Sequence, residues 1–210
     1  MVNKIQNIDC LEFMKNFPDN YFDLCLTDPP YGVNVKYNTY EDTLENWYNL
    51  MDKFIPEVTR ISKMVIFPSC SIKKLEWIYK NYPPSWIGCW YKGSTGHNSY
   101  IGFNDWEPLL IYGKIPKSYI HDYFVIPNTE KMGNYGHPCP KPIKWFRKIY
   151  QKCLYNTTNP KVLDCFMGSG SSRIAADMEG YDFYACELDK DYFEASCKRF
   201  NEYQSQLRLL

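Results

Sequence analysis

Short hydrophobic runs alternate along this chain with longer segments in which hydrophobic positions recur every three or four residues. The short runs predict strands, and the longer segments predict helices. The predicted strands are 22–26, 64–68, 87–91, 109–112, 161–163 and 182–186. The predicted helices are 44–62, 72–81, 143–155 and 190–204, with one more that begins near Ser171 or Ser172 and ends before Gly180. This alternation predicts an α/β fold built on a parallel sheet.

The composition is that of one globular domain spanning residues 1–210. Of these residues 45% are hydrophobic and 18% are aromatic, which argues against disorder. The nine cysteines are odd in number and include no Cys-x-x-Cys pair, so they predict reduced thiols and no metal site. The N-terminal residues lack the apolar run of a secretion signal, and no run is long enough to span a membrane. We therefore expect a cytoplasmic protein that is not secreted.

A glycine-containing loop follows the predicted strand 161–163. Its sequence, Asp-Cys-Phe-Met-Gly-Ser-Gly at 164–170, stands between a strand and a helix, where α/β sheets bind nucleotide-like ligands. Glu187 ends the next strand, 19 residues after Gly168, and a carboxylate at this spacing can bind both hydroxyls of a ribose. Arg173 replaces the third glycine of a dinucleotide fingerprint, and the loop lacks a P-loop lysine. An adenosyl ligand without a pyrophosphate fits this pattern, although a strand–helix turn without a ligand can have the same composition.

A second loop, Thr-Asp-Pro-Pro-Tyr-Gly at 27–32, follows the predicted strand 22–26. Pro29 and Pro30 stiffen this loop and have no N–H donors, so Asp28 and the backbone carbonyls form a site rich in acceptors. Such a site suits an exocyclic –NH₂ group, which has two hydrogens to donate. Tyr31 offers a flat ring on which a base can stack. The structural alternative is a rigid turn with a buried tyrosine.

These two motifs together resemble the S-adenosylmethionine-dependent DNA amino-methyltransferases, which modify adenine N6 or cytosine N4. The catalytic motif precedes the cofactor motif, a circularly permuted order that is similar to the β-group of this family. The resemblance extends to Trp-Glu-Pro-Leu-Leu-Ile-Tyr-Gly-Lys at 106–114 and to His-Pro-Cys-Pro-Lys-Pro at 137–142. It implies a Rossmann-like fold with a mostly parallel seven-stranded sheet and helices on both faces. It also implies S-adenosyl-L-methionine as cofactor and double-stranded DNA as substrate, in a prokaryotic or phage-encoded protein.

The resemblance also implies roles for individual residues. The amine of a flipped-out base would donate hydrogen bonds to Asp28 and to the carbonyl of Pro29, and Tyr31 would hold the base by stacking. The implied catalytic residues are Asp28, Pro29, Pro30 and Tyr31. The implied cofactor residues are Asp9, Cys10, Asp28, Lys141, Asp164, Phe166, Gly168, Ser169, Gly170 and Glu187. Among these, Glu187 would bind the ribose and Lys141 would lie near the methionine carboxylate.

Several functional alternatives stay open. Asp-Pro-Pro-Tyr resembles adenine enzymes more than cytosine enzymes, in which Ser-Pro-Pro-Tyr is commoner, so we expect methylation of adenine N6, with cytosine N4 as the alternative. A catalytically silent methyltransferase-like subunit would not need both intact motifs. An enzyme acting on RNA or on a protein glutamine is disfavoured, because glutamine methyltransferases carry their Pro-Pro-Tyr loop after the cofactor motif.

Target recognition in the β-group lies between the elements that match 106–114 and 137–142, so residues 115–136 form the expected recognition insertion. Its 22 residues are few, which favours a short target site, loose specificity, or help from a homodimer or partner subunit. Basic and acidic residues are equal at 24 each, yet residues 131–161 hold seven basic side chains and no acidic one. Such a local basic face can follow a phosphate backbone, or it can be a solvated helix face. The expected DNA contacts are Lys117, Lys131, Lys144, Arg147 and Lys148.

Overall fold

A computed structural model describes residues 2–69, 72–93, 98–99, 102–114, 121–127 and 137–207. Within these ranges the strands are β1 (Asn3–Asn7), β2 (Leu24–Leu26), β3 (Met64–Pro68), β4 (Trp86–Tyr91), β5 (Asn98–Ser99), β6 (Gly102–Phe103), β7 (Trp106–Gly113), β8 (Tyr123–Val125), β9 (Lys161–Asp164) and β10 (Asp182–Glu187). The helices are α1 (Cys10–Met14), α2 (Leu44–Ile61), α3 (Ile72–Asn81), α4 (Ile143–Leu154), α5 (Ser171–Glu179) and α6 (Lys190–Leu207). None of these helices is long and apolar enough to cross a membrane.

Eight strands form one sheet in the order β1-β10-β9-β2-β3-β7-β4-β8. The strands β1, β10, β9, β2 and β3 are parallel to one another, as are β4 and β8. β7 runs antiparallel to both of its neighbours, β3 and β4. The sheet is therefore mostly parallel, as expected. Because β10, β9 and β2 are consecutive and parallel, their carboxyl ends meet at one edge.

Alternate residues of the central strands enter two separate hydrophobic cores, one on each face of the sheet. On one face, Cys25, Val65 and Leu163 pack with residues of α1, α2 and α3. On the other face, Leu24, Ile66 and Val162 pack with residues of α4 and α5. Because both faces are covered, the short strands β2 and β3 consist entirely of buried residues. The expected helices on both faces are confirmed.

Among the described residues the main sheet has eight strands rather than the expected seven, and β5 and β6 form a separate two-stranded sheet. β1 was not predicted from the hydrophobic pattern, because its sequence is Asn-Lys-Ile-Gln-Asn. It nevertheless pairs with β10 over five residues. β8 lies within the stretch 115–136 and pairs with β4. Part of the expected recognition insertion therefore belongs to the core sheet.

Several predicted boundaries move by a few residues. The helix α5 begins at Ser171, as predicted, and its N-cap is Gly170, whose left-handed backbone (φ +76°) favours glycine. Phe22 lies outside β2 and forms only an isolated bridge with Ser62. β7 begins at Trp106, three residues earlier than predicted, because β4 provides an antiparallel partner for residues 106–111.

Candidate active site

The two motif loops follow neighbouring strands and are joined by a hydrogen bond. Leu24 and Cys25 of β2 pair with Val162 and Leu163 of β9, so both loops leave the sheet at the same edge. The hydroxyl of Thr27 donates to Oδ1 of Asp164 over 2.6 Å. Two loops that are 137 positions apart in the chain are thereby held together at their bases.

Asp164 stabilises the glycine-containing loop through hydrogen bonds. Its Oδ1 also accepts a hydrogen bond from the backbone N–H of Phe166 at 3.0 Å. Burial raises the pKa of Asp164 to about 7, although the hydrogen bonds it accepts act in the opposite direction. Asp164 is 1% exposed and does not belong to the lining of the adjacent cleft. The structure therefore places it behind the cleft wall, where it supports the loop.

The turn at Gly168 is closely covered by an imidazole. Gly168 has φ +48°, and a Cβ on it would lie 3.0 Å from Nε2 of His137. Burial, assisted by the charge of Lys141, lowers the pKa of His137 to about 4, so its ring is neutral at pH 7. The ring of Tyr192 packs edge-on against this imidazole with centroids 4.9 Å apart. Sequence reasoning did not single out His137, although its motif was recognised.

Glu187 binds the glycine loop directly through its carboxylate. Its Oε2 accepts from the N–H of Gly168 at 2.7 Å, and its Oε1 accepts from the N–H of Asp189 at 2.9 Å. Burial raises the pKa of Glu187 above its ordinary value. Each carboxylate oxygen can accept more than one hydrogen bond, so both can also accept from hydroxyl groups of a ligand in the cleft.

An arginine missed by sequence reasoning closes the far side of this loop. The guanidinium of Arg199 in α6 donates to the carbonyl of Ser169 at 2.9 Å and to Oγ of Ser171 at 3.0 Å. The Cα of Gly170 faces α6 as well, since a Cβ there would lie 3.0 Å from Cβ of Ser196. Ser169 lines the cleft whereas Gly170 does not. Gly170 therefore serves the close packing of α6 onto the loop.

A cleft of about 950 Å³, including its open mouth, lies above the carboxyl ends of β10, β9 and β2. Its lining joins segments from most of the chain, and it includes the predicted cofactor residues Asp9, Cys10, Asp28, Lys141, Phe166, Gly168, Ser169 and Glu187. Asp9 also caps α1, because its Oδ1 accepts from the N–H of Leu11 at 2.8 Å. The structure thus brings most of the predicted cofactor residues to one cavity.

A tyrosine-rich loop that sequence reasoning did not single out forms the opposite wall of the cleft. Asp42 holds this loop by accepting from the N–H groups of Gly32, Val33 and Val35. Tyr37, Thr39 and Tyr40 then line the cleft. The hydroxyl of Tyr40 is buried without a hydrogen-bonding partner among the described residues. A bound ligand with polar groups could form a hydrogen bond with this hydroxyl.

Asp28 lines the cleft beside a lysine. Its Oδ1 is 3.1 Å from Nζ of Lys141, and both side chains are largely buried, at 17% and 13% exposed. Burial raises the pKa of Asp28, and the charge of Lys141 opposes this rise. The pKa of Lys141 is raised by Asp28 and Glu107, whose charges outweigh the effect of its own burial. The carboxylate and the ammonium therefore stabilise each other's charged form.

Tyr31 is held by its hydroxyl between two charged groups. It accepts a hydrogen bond from Nζ of Lys141 at 3.1 Å and donates to Oε2 of Glu107 at 3.2 Å. Glu107, in β7, is paired in turn with Lys92 at 2.5 Å. Glu107 belongs to the recognised motif at 106–114 but was not singled out, and Lys92 carries no sequence signal. These contacts fix the orientation of the Tyr31 ring next to Asp28.

The basic residues expected to contact DNA are placed in different ways. Lys117 and Lys131 lie outside the described residues. Lys144 in α4 is exposed. Arg147 pairs with Glu179 of α5 at 2.7 Å, and Lys148 donates to the carbonyl of Val125 at 3.1 Å. Arg147 and Lys148 thus have structural partners within the protein, and contact with DNA stays a prediction for all five.

Within the described ranges, no group of His, Cys, Asp and Glu side chains is arranged to hold a metal ion. Eight of the nine cysteines fall in those ranges, and each is a free thiol.

Comparison with known proteins agrees with this geometry. The N6_N4_Mtase family model, described as DNA methylase, matches residues 113–198. The Type II methyltransferase M.HpaI of Haemophilus parainfluenzae is 24% identical over 229 residues, covering 92% of this chain and 72% of that protein.

Solved structures of similar fold cover nearly the whole chain. The M1.HpyAVI–SAM complex aligns with 95% of this chain and 100% of its own, at 23% identity and a TM-score of 0.61. The cytosine-N4-specific PvuII DNA methyltransferase aligns with 95% of this chain and 87% of its own, at 18% identity and a TM-score of 0.69. At these identities the two structures establish the shared fold.

Proposed function

We propose that this chain, which the DNA methylase family model matches over residues 113–198, transfers a methyl group from S-adenosyl-L-methionine to the N6 amine of a flipped-out adenine in DNA. The observation that carries this proposal is the position of Asp28. It lines the same cleft as Gly168 and Glu187, so a target amine at Asp28 lies close to a ligand bound at the glycine loop. Thr27 and Asp164 keep the two loops in this arrangement.

The cleft residues suit the cofactor. Glu187 offers a carboxylate to the ribose hydroxyls, and the unpartnered hydroxyl of Tyr40 offers a polar contact on the opposite wall. The M1.HpyAVI relative of the same fold was solved as a complex with SAM. When bound, the sulfonium of S-adenosyl-L-methionine supplies an electrophilic methyl group.

The residues around Asp28 can activate the amine. The lone pair of an exocyclic amine is delocalised into the ring, so the amine is a poor nucleophile. Hydrogen bonds donated by the amine to Asp28 and to the carbonyl of Pro29 localise this lone pair on nitrogen. They also stabilise the positive charge that develops on nitrogen in the transition state. Asp28 need not be a strong base, because the proton can leave after the transfer.

Tyr31 holds the target base in this proposal. A base inside a duplex cannot reach Asp28, so it must leave the stack and find a new stacking partner. The Tyr31 ring provides that partner, and Lys141 and Glu107 restrict its orientation. Asp28, Pro29, Pro30 and Tyr31 would therefore act together on the flipped base.

We further propose that residues 1–210 form a single methyltransferase domain and that residues 115–136 contribute to target recognition on double-stranded DNA. Lys144 is the exposed candidate for phosphate contact. The shortness of the stretch 115–136 favours help from a second subunit, either another copy of this chain or a different protein.

Cytosine N4 is the second candidate target, because the PvuII enzyme of similar fold is cytosine-N4-specific. The aspartate of the Asp-Pro-Pro-Tyr motif favours adenine. The test is to incubate unmethylated DNA with the protein and labelled S-adenosyl-L-methionine, digest the DNA to nucleosides, and identify the labelled product by mass spectrometry. We expect N6-methyladenine. If the labelled product is N4-methylcytosine, the target is cytosine and not adenine. A digest without label would contradict the proposed activity.

A further inference from the structure

The ammonium of Lys141 contacts both the carboxylate and the ring that the proposed reaction uses. Its Nζ lies 3.1 Å from Oδ1 of Asp28 and 3.1 Å from the hydroxyl of Tyr31. It also lies 4.9 Å from the centre of the Tyr31 ring and 5.6 Å from that of Trp90. A lysine placed only to bind the carboxylate of a cofactor would need none of these contacts.

The charges around Lys141 are balanced and enclosed. Asp28 and Glu107 provide two carboxylates, Lys141 pairs with Asp28, and Lys92 pairs with Glu107. All four side chains are largely buried, with exposed fractions between 8% and 17%. Removing one charge from such a group leaves its partner buried and unpaired, which is costly. Lys141 therefore favours the ionised form of Asp28 against the effect of burial.

We propose that Lys141 is a positioning residue for methyl transfer, which keeps Asp28 ionised in its buried place and fixes the Tyr31 ring through its hydroxyl. The inference rests on the proposed function and assigns a second role to Lys141, beside the one near the methionine carboxylate. An ionised Asp28 accepts hydrogen bonds at both oxygens, whereas a protonated one presents a donor to the amine. Lys141 thus links the acceptor for the amine to the platform for the base.

The pH dependence of methyl transfer follows from the groups that face Asp28. Burial raises the pKa of Asp28 and the charge of Glu107 adds to the rise, whereas Lys141 and the Tyr31 hydroxyl oppose it. Tyr37 and Cys139 also face Asp28, but their own pKa values are raised by burial, so both are neutral when Asp28 titrates. Without Lys141, the pKa of Asp28 must rise further. Activity that requires an ionised Asp28 then appears only at higher pH.

The first test compares the pH profiles of kcat for DNA methylation in the wild type, Lys141→Met and Lys141→Arg. We expect the acid limb of the Lys141→Met profile to move upward by about one pH unit or more. Lys141→Arg retains the charge, so its limb should stay near that of the wild type. Lys63→Met is the matched control, because Lys63 pairs with Asp23 at 2.8 Å just before β3, at the opposite edge of the sheet.

Two outcomes would contradict the positioning role of Lys141. If Lys141 serves only the cofactor, Lys141→Met will raise KM for S-adenosyl-L-methionine and leave the acid limb in place, and the proposal is then wrong. A limb that moves equally in Lys141→Arg and Lys141→Met would also overturn it. Lys141→Gln, which keeps a polar side chain, replaces Lys141→Met if the latter does not fold.

A second measurement separates this proposal from the proposed function. Carboxyl-carbon NMR follows the titration of Asp28 without any turnover, and the signal is assigned from its absence in Asp28→Asn. We expect the Asp28 signal to titrate at higher pH in Lys141→Met than in the wild type. An unchanged titration contradicts the role of Lys141 even if the protein methylates DNA. A shifted titration supports that role even if no methyl transfer is found.

Discussion

The hydroxyl of Thr27 donates a 2.6 Å hydrogen bond to Oδ1 of Asp164, and this contact ties the Asp-Pro-Pro-Tyr loop to the glycine-containing loop. Both residues are almost completely buried, at 0% and 1% exposed. Their strands, β2 and β9, are direct neighbours in the sheet. The two motifs are thus parts of one structural unit, although the chain separates them.

The stability of the protein should depend on pH through Asp164. Its pKa is about 7 in the folded protein and about 3.9 in an unfolded chain, so the folded state keeps a proton that the unfolded state releases. The free energy of unfolding therefore falls as the pH rises from the pKa of Asp164 in the unfolded chain to its pKa in the folded protein. Asp164→Asn removes the titration and keeps an acceptor for Thr27.

We therefore expect the free energy of unfolding of the wild type to fall relative to that of Asp164→Asn by up to about 1.4 kcal/mol per pH unit between about pH 4 and pH 7. Urea unfolding of the cofactor-free proteins at a series of pH values measures this difference, and other titrating groups cancel in the comparison. A difference that does not change with pH would contradict the high pKa of Asp164.

Gly168→Ala should weaken cofactor binding. Its φ of +48° disfavours alanine by about 1–2 kcal/mol, and the new Cβ would lie 3.0 Å from Nε2 of His137. Gly180→Ala is the matched control, because Gly180 also has a positive φ (+73°) but has no atom within 4 Å of the added Cβ. We expect both variants to melt at lower temperature and only Gly168→Ala to lose affinity for S-adenosyl-L-methionine. Equal affinities in calorimetry would remove Gly168 from the cofactor site.

Glu187→Ala should raise the dissociation constant of the cofactor by about 10-fold to 100-fold, the range expected for the loss of hydrogen bonds to a charged group. The variant also loses the acceptors for Gly168 and Asp189, so the loop itself is less well held. Glu194→Ala is the control, since Glu194 is 65% exposed in α6. Unchanged binding in calorimetry would show that Glu187 does not contact the ribose.

Lys144→Glu should weaken DNA binding and reduce its salt dependence. A phosphate contact contributes about one unit to the slope of the logarithm of the binding constant against that of the salt concentration. Lys144 is a cleaner choice than Arg147, whose reversal would also break the ion pair with Glu179. Lys53→Glu, an exposed position in α2 on the other face of the sheet, serves as control. Equal slopes for the two variants would identify the α4 lysine as an ordinary solvated residue.

The parts of the fold that the sequence predicts are those encoded by local patterns. The helix α3 and the strand β3 have the predicted bounds, because hydrophobic periodicity and turn residues are local properties. β1 was missed because its residues are mainly polar and its pairing with β10 spans almost the whole chain. The antiparallel β7 also breaks the expected parallel pattern, and no local signal encodes strand direction.

The residues of the candidate site also fall into two groups, those that belong to local motifs and those whose role depends on distant packing contacts. Asp28, Gly168 and Glu187 were predicted because each belongs to a short motif at a strand end. The pairing of Lys141 with Asp28 and Tyr31 could not be predicted, since it depends on a packing contact between residues 110 positions apart. Arg199 supports the glycine loop from α6, where it resembles any other basic residue of a surface helix.

The most direct test of the central claim measures methyl transfer and cofactor binding on the same Asp28→Ala protein. In the proposed mechanism Asp28 contacts the target amine, whereas the glycine loop and Glu187 make most of the cofactor contacts, so we expect the substitution to affect methyl transfer and not cofactor binding. We predict a loss of methyl transfer to DNA of at least about 10²-fold, with a cofactor dissociation constant close to that of the wild type. Near-normal turnover of Asp28→Ala would contradict the mechanism.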